Sequence, residues 1–138
     1  MCRTKTLCLN LNRRLALLAV ACLASLSTAS ATVLRVKAGA TNTAPDGLSW
    51  TNAFPWVNEA LAVAQSGDQI WVATGTYPGG ITLADGIALY GGFAGDEATL
   101  AQRDFAAHPS RLDGGRFTNV LTVASGAGPQ TRVDGFII

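Results

Sequence analysis

The 138 residues are 49% hydrophobic, 14% charged and 7% aromatic, with a formal net charge of +1. That length fits one domain and hardly two, and so large an apolar share with so little charge excludes a disordered acidic or basic tail. There is no basic field to hold nucleic acid, and none is expected as a partner.

Residues 1–31 read as an export leader. Their only charges are Arg3, Lys5, Arg13 and Arg14, followed by a weakly polar or apolar run from Leu15 to Leu26 and a small-residue end at Ala29-Ser30-Ala31. A positive start, an apolar stretch of about 7–15 residues and an A-x-A site define a secretory signal peptide. The run is shorter than the roughly 20 apolar residues of a membrane span, and its Leu and Ala positions lack the 3.6 period of an amphipathic helix. Cys22 leaves only a cramped apolar region after Arg14 for lipid attachment, so cleavage after Ala31 is expected. Arg13-Arg14 invites a twin-arginine reading, but Ala16 stands where that signal usually carries a bulky apolar residue. The ordinary secretory route follows.

Removing the leader removes Cys2, Cys8 and Cys22, so the remainder has no cysteine for a disulfide, a metal or a nucleophile. Six basic residues then face nine acidic ones, a net charge of −3.

In chain order, Val33–Lys37 alternates apolar and basic residues and predicts a first strand with one wet face. Residues 38–50, with Asp46-Gly47, predict a loop. Pro55 to Gln65 predicts the one long helix, with Val57, Ala60, Leu61 and Ala64 on a single stripe. Pro55 suits its first turn, Gly67 its end, and Asn52 or Thr51 its cap. Strands are expected at Gln69–Ala73, closed by Gly75, at Gly80–Leu83, and at Ile87–Tyr90 after an Asp85-Gly86 turn. A polar insert, 94–110, carries a helical turn around Thr99–Arg103, and strands resume at Val120–Val123 and Arg132–Ile138.

Leu89-Tyr90-Gly91-Gly92, Leu112-Asp113-Gly114-Gly115 and Val133-Asp134-Gly135-Phe136 share the pattern aliphatic, x, Gly, x. Their spacing suggests a unit of about 22 residues, the size of one solenoid coil. On that reading Asp113 and Asp134 are equivalent positions of adjacent coils. Two such carboxylates could share a calcium ion, although acceptance of hydrogen bonds at the following Gly turn is the favoured role.

These residues resemble the N-terminal part of bacterial secreted right-handed parallel β-helix proteins, the pectate-lyase-like group that includes polymorphic outer-membrane and other cell-surface proteins. The likeness is carried by Asp46-Gly47-Leu48-Ser49-Trp50, Ala53-Phe54, Glu59-Ala60-Leu61, Gly67–Ala73, Gly75-Thr76-Tyr77, Leu89–Gly95, Gln102-Arg103-Asp104 and Asp134–Ile138. Gly79-Gly80-Ile81-Thr82 and Phe117-Thr118-Asn119 each miss the polymorphic subgroup's hallmark repeats by one residue. The resemblance implies an all-β fold, a right-handed parallel β-helix whose first coils are capped by the amphipathic helix. Residues 32–138 would then be that cap and those coils, truncated at the C-terminus because the sequence stops mid-strand at Phe136-Ile137-Ile138.

Candidate chemistry is thin. His108 is the only histidine and has no nucleophile or carboxylate at a telling spacing, so it reads as a surface-loop residue. Trp50, Trp56 and Trp71 could stack sugars but are assigned to the core. Gly91-Gly92-Phe93-Ala94-Gly95 lacks the Lys-Ser/Thr of a phosphate loop and reads as a turn run, and Asp96-Glu97 as a solvated pair. Lyases of the group use calcium-binding carboxylates and a basic residue, and beside Lys37 and the few arginines no acidic cluster stands. No catalytic residue, metal site or cofactor is therefore expected, and no binding residue is assigned. The sequence is read as an exported extracellular or cell-surface protein without a transmembrane span in the mature part. Its role would be that of an adhesin, passenger or carbohydrate binder meeting polysaccharide or cell-surface components. The alternative is a polysaccharide lyase or glycoside hydrolase whose active site lies beyond residue 138.

Overall fold

A computed structural model describes residues 30–116 and 119–138. Residues 1–29 of the leader and Phe117-Thr118 lie outside the described residues. The rest begins with strand β1 (Val33–Val36), a 3-10 turn (Trp50–Asn52) and helix α1 (Val57–Val63). Strands β2 (Gln69–Ala73), β3 (Gly75–Pro78), β4 (Ile81–Leu83) and β5 (Ala88–Phe93) follow. A second 3-10 turn (Leu100–Gln102) precedes β6 (Ser110–Asp113), β7 (Leu121–Val123), β8 (Arg132–Asp134) and β9 (Phe136–Ile137).

The strands form three small sheets, ordered β1-β2-β5-β8, β3-β6-β9 and β4-β7, and every pairing is parallel. The expectation of an all-β right-handed parallel β-helix is corrected by this arrangement. Short parallel strands in three separate sheets combine with an α-helix and two 3-10 turns. The fold is mixed α/β, and no closed solenoid is formed among the described residues. The helix closes the core beside β1, and the 3-10 turns interrupt the strands of the sheets, so helical and strand elements are mixed along the chain.

Registration within the first sheet sorts its side chains by the period of two. Leu34, Ile70, Leu89 and Val133 stand in one row and face inward, while Arg35, Trp71, Tyr90 and Asp134 stand in the next and face outward. The inward row meets Tyr77 and Leu112 from the second sheet and Ile81 and Leu83 from the third in one core. Ile70, Leu83 and Leu89 are completely buried. Each such side chain contributes about 1.5–3 kcal/mol relative to exposure.

The predicted helical stripe is observed: Val57 and Ala60 are buried, and Leu61 and Ala64 pack against the same core. The helix is shorter than 55–65. Trp56 is its extended N-cap, leaving Pro55 outside, and Ala64 is extended at the other end. Asp68 explains the stop, because its carboxylate takes the N–H of Gln65 at 2.8 Å and that of Thr32 at 2.8 Å, an alternative to continuing the helix. Neither Asn52 nor Thr51 caps the helix, whose N-cap Trp56 makes no side-chain bond; Ser49 instead caps the preceding 3-10 turn by accepting from Asn52 N–H.

The 22-residue repeat is also corrected. Leu89 pairs with Val133, but Leu112 lies in the second sheet opposite Tyr77. Asp113 pairs with Pro78 and Asp134 with Tyr90, so the two carboxylates are not neighbours in any ladder. The shared motif marks a strand ending at a turn, whichever sheet the strand belongs to. Strands β3 and β6 escaped the sequence reading because Gly75, Pro78 and Ser110 are poor strand signals.

Nor is Gly91–Gly95 a turn run, for Gly91 and Gly92 lie inside β5. The β2–β5 register slips there, from Trp71↔Tyr90 to Ala73↔Phe93. A Cβ on Gly91 would run into the carbonyl of Gly135, so only glycine allows the two backbones to approach. Gly92 takes φ 93°, and its N–H donates to buried Ser110 Oγ at 3.0 Å. The Ser110 hydroxyl is satisfied in turn by the carbonyls of Val72 and Ala73.

Candidate functional site

The outward row of the first sheet gathers most of the chemically distinctive side chains. Trp71 stacks on Phe93 with ring centroids 4.8 Å apart, and Trp50 leans on the same ring at 5.6 Å. The Arg35 guanidinium lies over both indoles, 5.9 Å from Trp50 and 5.5 Å from Trp71, a cation–π arrangement. Further along the same row, Arg103 lies 5.2 Å from the Tyr90 ring and donates to Asp134 Oδ2 at 2.5 Å. Arg132 addresses the same oxygen at 3.6 Å. The hydrogen bond from Arg103 holds the Asp134 carboxyl below the usual carboxylate range, with the charges of Arg103 and Arg132 adding to it.

The insert after β5 is fastened over this face by its own polar groups. Glu97 is buried, and its carboxylate accepts from the N–H groups of Ala94 (2.6 Å), Gly95 (2.9 Å) and Asp96 (3.1 Å). Burial pushes its acid form up, yet these backbone donors together outweigh burial and hold the carboxyl low. Trp50 Nε1 donates to the Glu97 carbonyl at 2.8 Å. Thr99 and Gln102 cap the 3-10 turn reciprocally. The solvated-pair reading thus holds for exposed Asp96 and is corrected for Glu97.

Beside this covered face opens a polar cleft of about 170 Å³. Asp68 and Gln69 form one wall, Tyr90 its floor, and Gln130 and Arg132 the opposite rim. Asp85 steadies that rim by accepting from Gly128 N–H at 2.7 Å and Thr131 Oγ1 at 3.0 Å. Those bonds, the one from Gly128 first, hold its exposed carboxyl low. Gln69 Oε1 is taken by Trp71 Nε1 at 3.0 Å, which fixes the wall to the aromatic row. The cleft therefore offers an aromatic edge, amides and a guanidinium to a small polar ligand.

The sequence-stated candidates disperse. Trp71 is buried and Trp50 half-buried, both on the outward face, but Trp56 is 45% exposed and is corrected from core to surface, since it precedes the helix on the side away from the core. His108 lies in the turn that follows Asp104, its N–H donating to the Asp104 carbonyl at 2.8 Å. Asp113 accepts from Gly115 N–H at 2.9 Å, the turn role, while Asp134 is committed to Arg103. Lys37 is exposed. Among the described residues no group of three or more His, Cys, Asp or Glu could hold a metal ion. No helix there is long and apolar enough to cross a membrane. Sequence reasoning missed Arg103, whose partner Asp134 lies far along the chain, and Gln69, which meets Tyr90 and Arg132 in the cleft only through the parallel registers.

Compared with protein-family models, with curated proteins and with solved structures, the chain finds no match.

Proposed function

We propose that this is an exported protein of the extracellular space or cell surface, and that residues 32–138 act without catalysis as a scaffold for carbohydrate binding. The observation that carries the reading is the leader, with its positive start, apolar run and Ala29-Ser30-Ala31 end. The resemblance read in the sequence to secreted bacterial cell-surface proteins points to the same destination. The polar cleft supports the binding role. It is lined by Gln69, Tyr90, Gln130 and Arg132, which offer hydrogen-bonding groups and an aromatic edge to the hydroxyls of a sugar.

Two measurements test this. Mass spectrometry of the secreted protein is expected to find Thr32 as the first residue; intact residues 1–31 on soluble cytoplasmic protein would refute export. On an array of cell-surface polysaccharides the protein is expected to bind, and Gln130→Trp, filling the cleft from its exposed rim, to abolish binding. Equal binding by that variant, or none by the wild type, sinks the carbohydrate role.

A further inference from the structure

The leader's expected cut falls at a prepared place. Ser30 and Ala31 are exposed and outside any regular element, and β1 starts at Val33. Between them, Thr32 is anchored from both sides. Its carbonyl accepts from Gln69 N–H at 2.9 Å, extending the β1–β2 ladder by one rung. Its N–H donates to Asp68 Oδ1 at 2.8 Å.

Asp68 is held ready for that contact. Its other carboxylate oxygen, Oδ2, accepts from Gln65 N–H at 2.8 Å. Its own N–H donates to the Gln65 carbonyl at 3.0 Å, and its carbonyl accepts from Ala88 N–H at 3.1 Å. The residue is half-buried. Among the described residues no Lys or Arg is in ion-pair contact with its carboxylate; Arg132 stands on the opposite rim of the cleft that Asp68 walls.

Given the export proposed above, on which this rests, we infer that cleavage after Ala31 turns the Thr32–Asp68 hydrogen bond into an ion pair that locks β1 in place. Water attacks the Ala31 carbonyl carbon and the C–N bond to Thr32 breaks. The oxygen of that water stays on Ala31 as part of a carboxylate, and its two protons pass to the Thr32 nitrogen, which becomes an ammonium. The nitrogen need not move, because the Gln69 bond and the β1–β2 register hold the residue behind it. An α-amine, with an ordinary pKa of about 7.7–8.0, is largely charged at pH 7. One neutral donor thus becomes a charged group with three donors, and a charge-assisted bond is roughly twice as strong as a neutral one. The position of the cut matters, since one extra residue carries the charge about 3.8 Å along the chain and returns Thr32 to a neutral amide. Because Asp68 also walls the polar cleft, the same step balances a negative charge there.

The test uses the secreted protein carrying Lys37→Arg, which leaves the α-amine as the one acetylatable amine after the leader. Mass spectrometry first reads the starting residue; a start other than Thr32 overturns the expected cut and this inference with it. Urea unfolding at pH 7, followed by tryptophan fluorescence, then compares the free chain with the chain acetylated at Thr32. Acetylation restores the amide N–H and removes only the charge, and the exposed position of Ala31 leaves room for the acetyl group. It is expected to raise the unfolding equilibrium constant about fivefold, near the upper end for an exposed pair. The gap is expected to narrow in high salt and to vanish in Asp68→Asn. Should Asp68→Asn misfold, the salt dependence carries the test. With Thr32 confirmed as the first residue, equal stability of the free and acetylated chains overturns the inference and leaves export intact. So does a gap that salt leaves unchanged, or one that persists in folded Asp68→Asn.

Discussion

Tyr77 joins the second sheet to the loop after β1, and removing its hydroxyl is a sharp probe of the core. The ring is completely buried. Its Oη donates to the Ala73 carbonyl at 2.9 Å and accepts from Ala38 N–H at 3.0 Å. Tyr77→Phe keeps the ring and strands both partners; leaving buried polar groups unmade costs about 1–3 kcal/mol. Burial also pushes the phenol up from 10.0 to about 12, partly opposed by the Ala38 N–H. Because the folded value lies above the unfolded one, this contribution is complete below pH 10 and lost as pH rises toward 12. Two pH units correspond to about 3 kcal/mol. Urea unfolding followed by tryptophan fluorescence at pH 7 and across that alkaline window checks both parts. The variant is expected to be weaker at pH 7, and the gap to the wild type to close as pH approaches 12. Equal stability at pH 7 with parallel alkaline curves would refute the reasoning.

Gly91→Ala is expected to destabilise by about 1–3 kcal/mol, the usual cost of overpacking, because its methyl meets the Gly135 backbone and Ser110 Cβ; thermal denaturation checks this. Glu97→Gln places an amide donor among three backbone N–H donors, so limited proteolysis is expected to cut within 94–109 faster than in the wild type. Arg103→Ala removes the main partner of Asp134, and carboxyl NMR titration is expected to show that group rising toward 3.8. In the wild type the lowered folded pKa contributes stability that is complete above 3.8 and lost as pH falls through the folded value, so the variant's acid unfolding should be less steep.

What the residues disclose in advance depends on how local the cause is. The stripe Val57, Ala60, Leu61, Ala64 was legible because its period lies within one helix. The motif shared by Leu89, Leu112 and Val133 reads as three successive coils, whereas Leu89 meets Val133 directly, with Gly91 against Gly135. Leu112 was grouped with them wrongly, since an aliphatic residue before a glycine turn looks the same in every sheet. Glu97 could not be foreseen as buried: a Gly-Asp-Glu run reads as hydrophilic until the chain curls and turns three N–H groups onto the carboxylate. The cleft was illegible for a similar reason. Gln69, Tyr90 and Arg132 meet through parallel registers that composition does not encode.

The uniformly parallel ladders also govern how the molecule reaches its structure. No described strand is joined to its ladder neighbour by a hairpin. Even the return from β2 to β5 passes through β3 and β4 first. Each pairing therefore requires loop closure before any reward is gained, which places such topologies among slow folders, in milliseconds to seconds or longer. If the chain is exported as proposed, that delay has a use: a slow folder stays threadable for longer, and a kinetic bottleneck that would hinder a cytoplasmic protein would favour translocation.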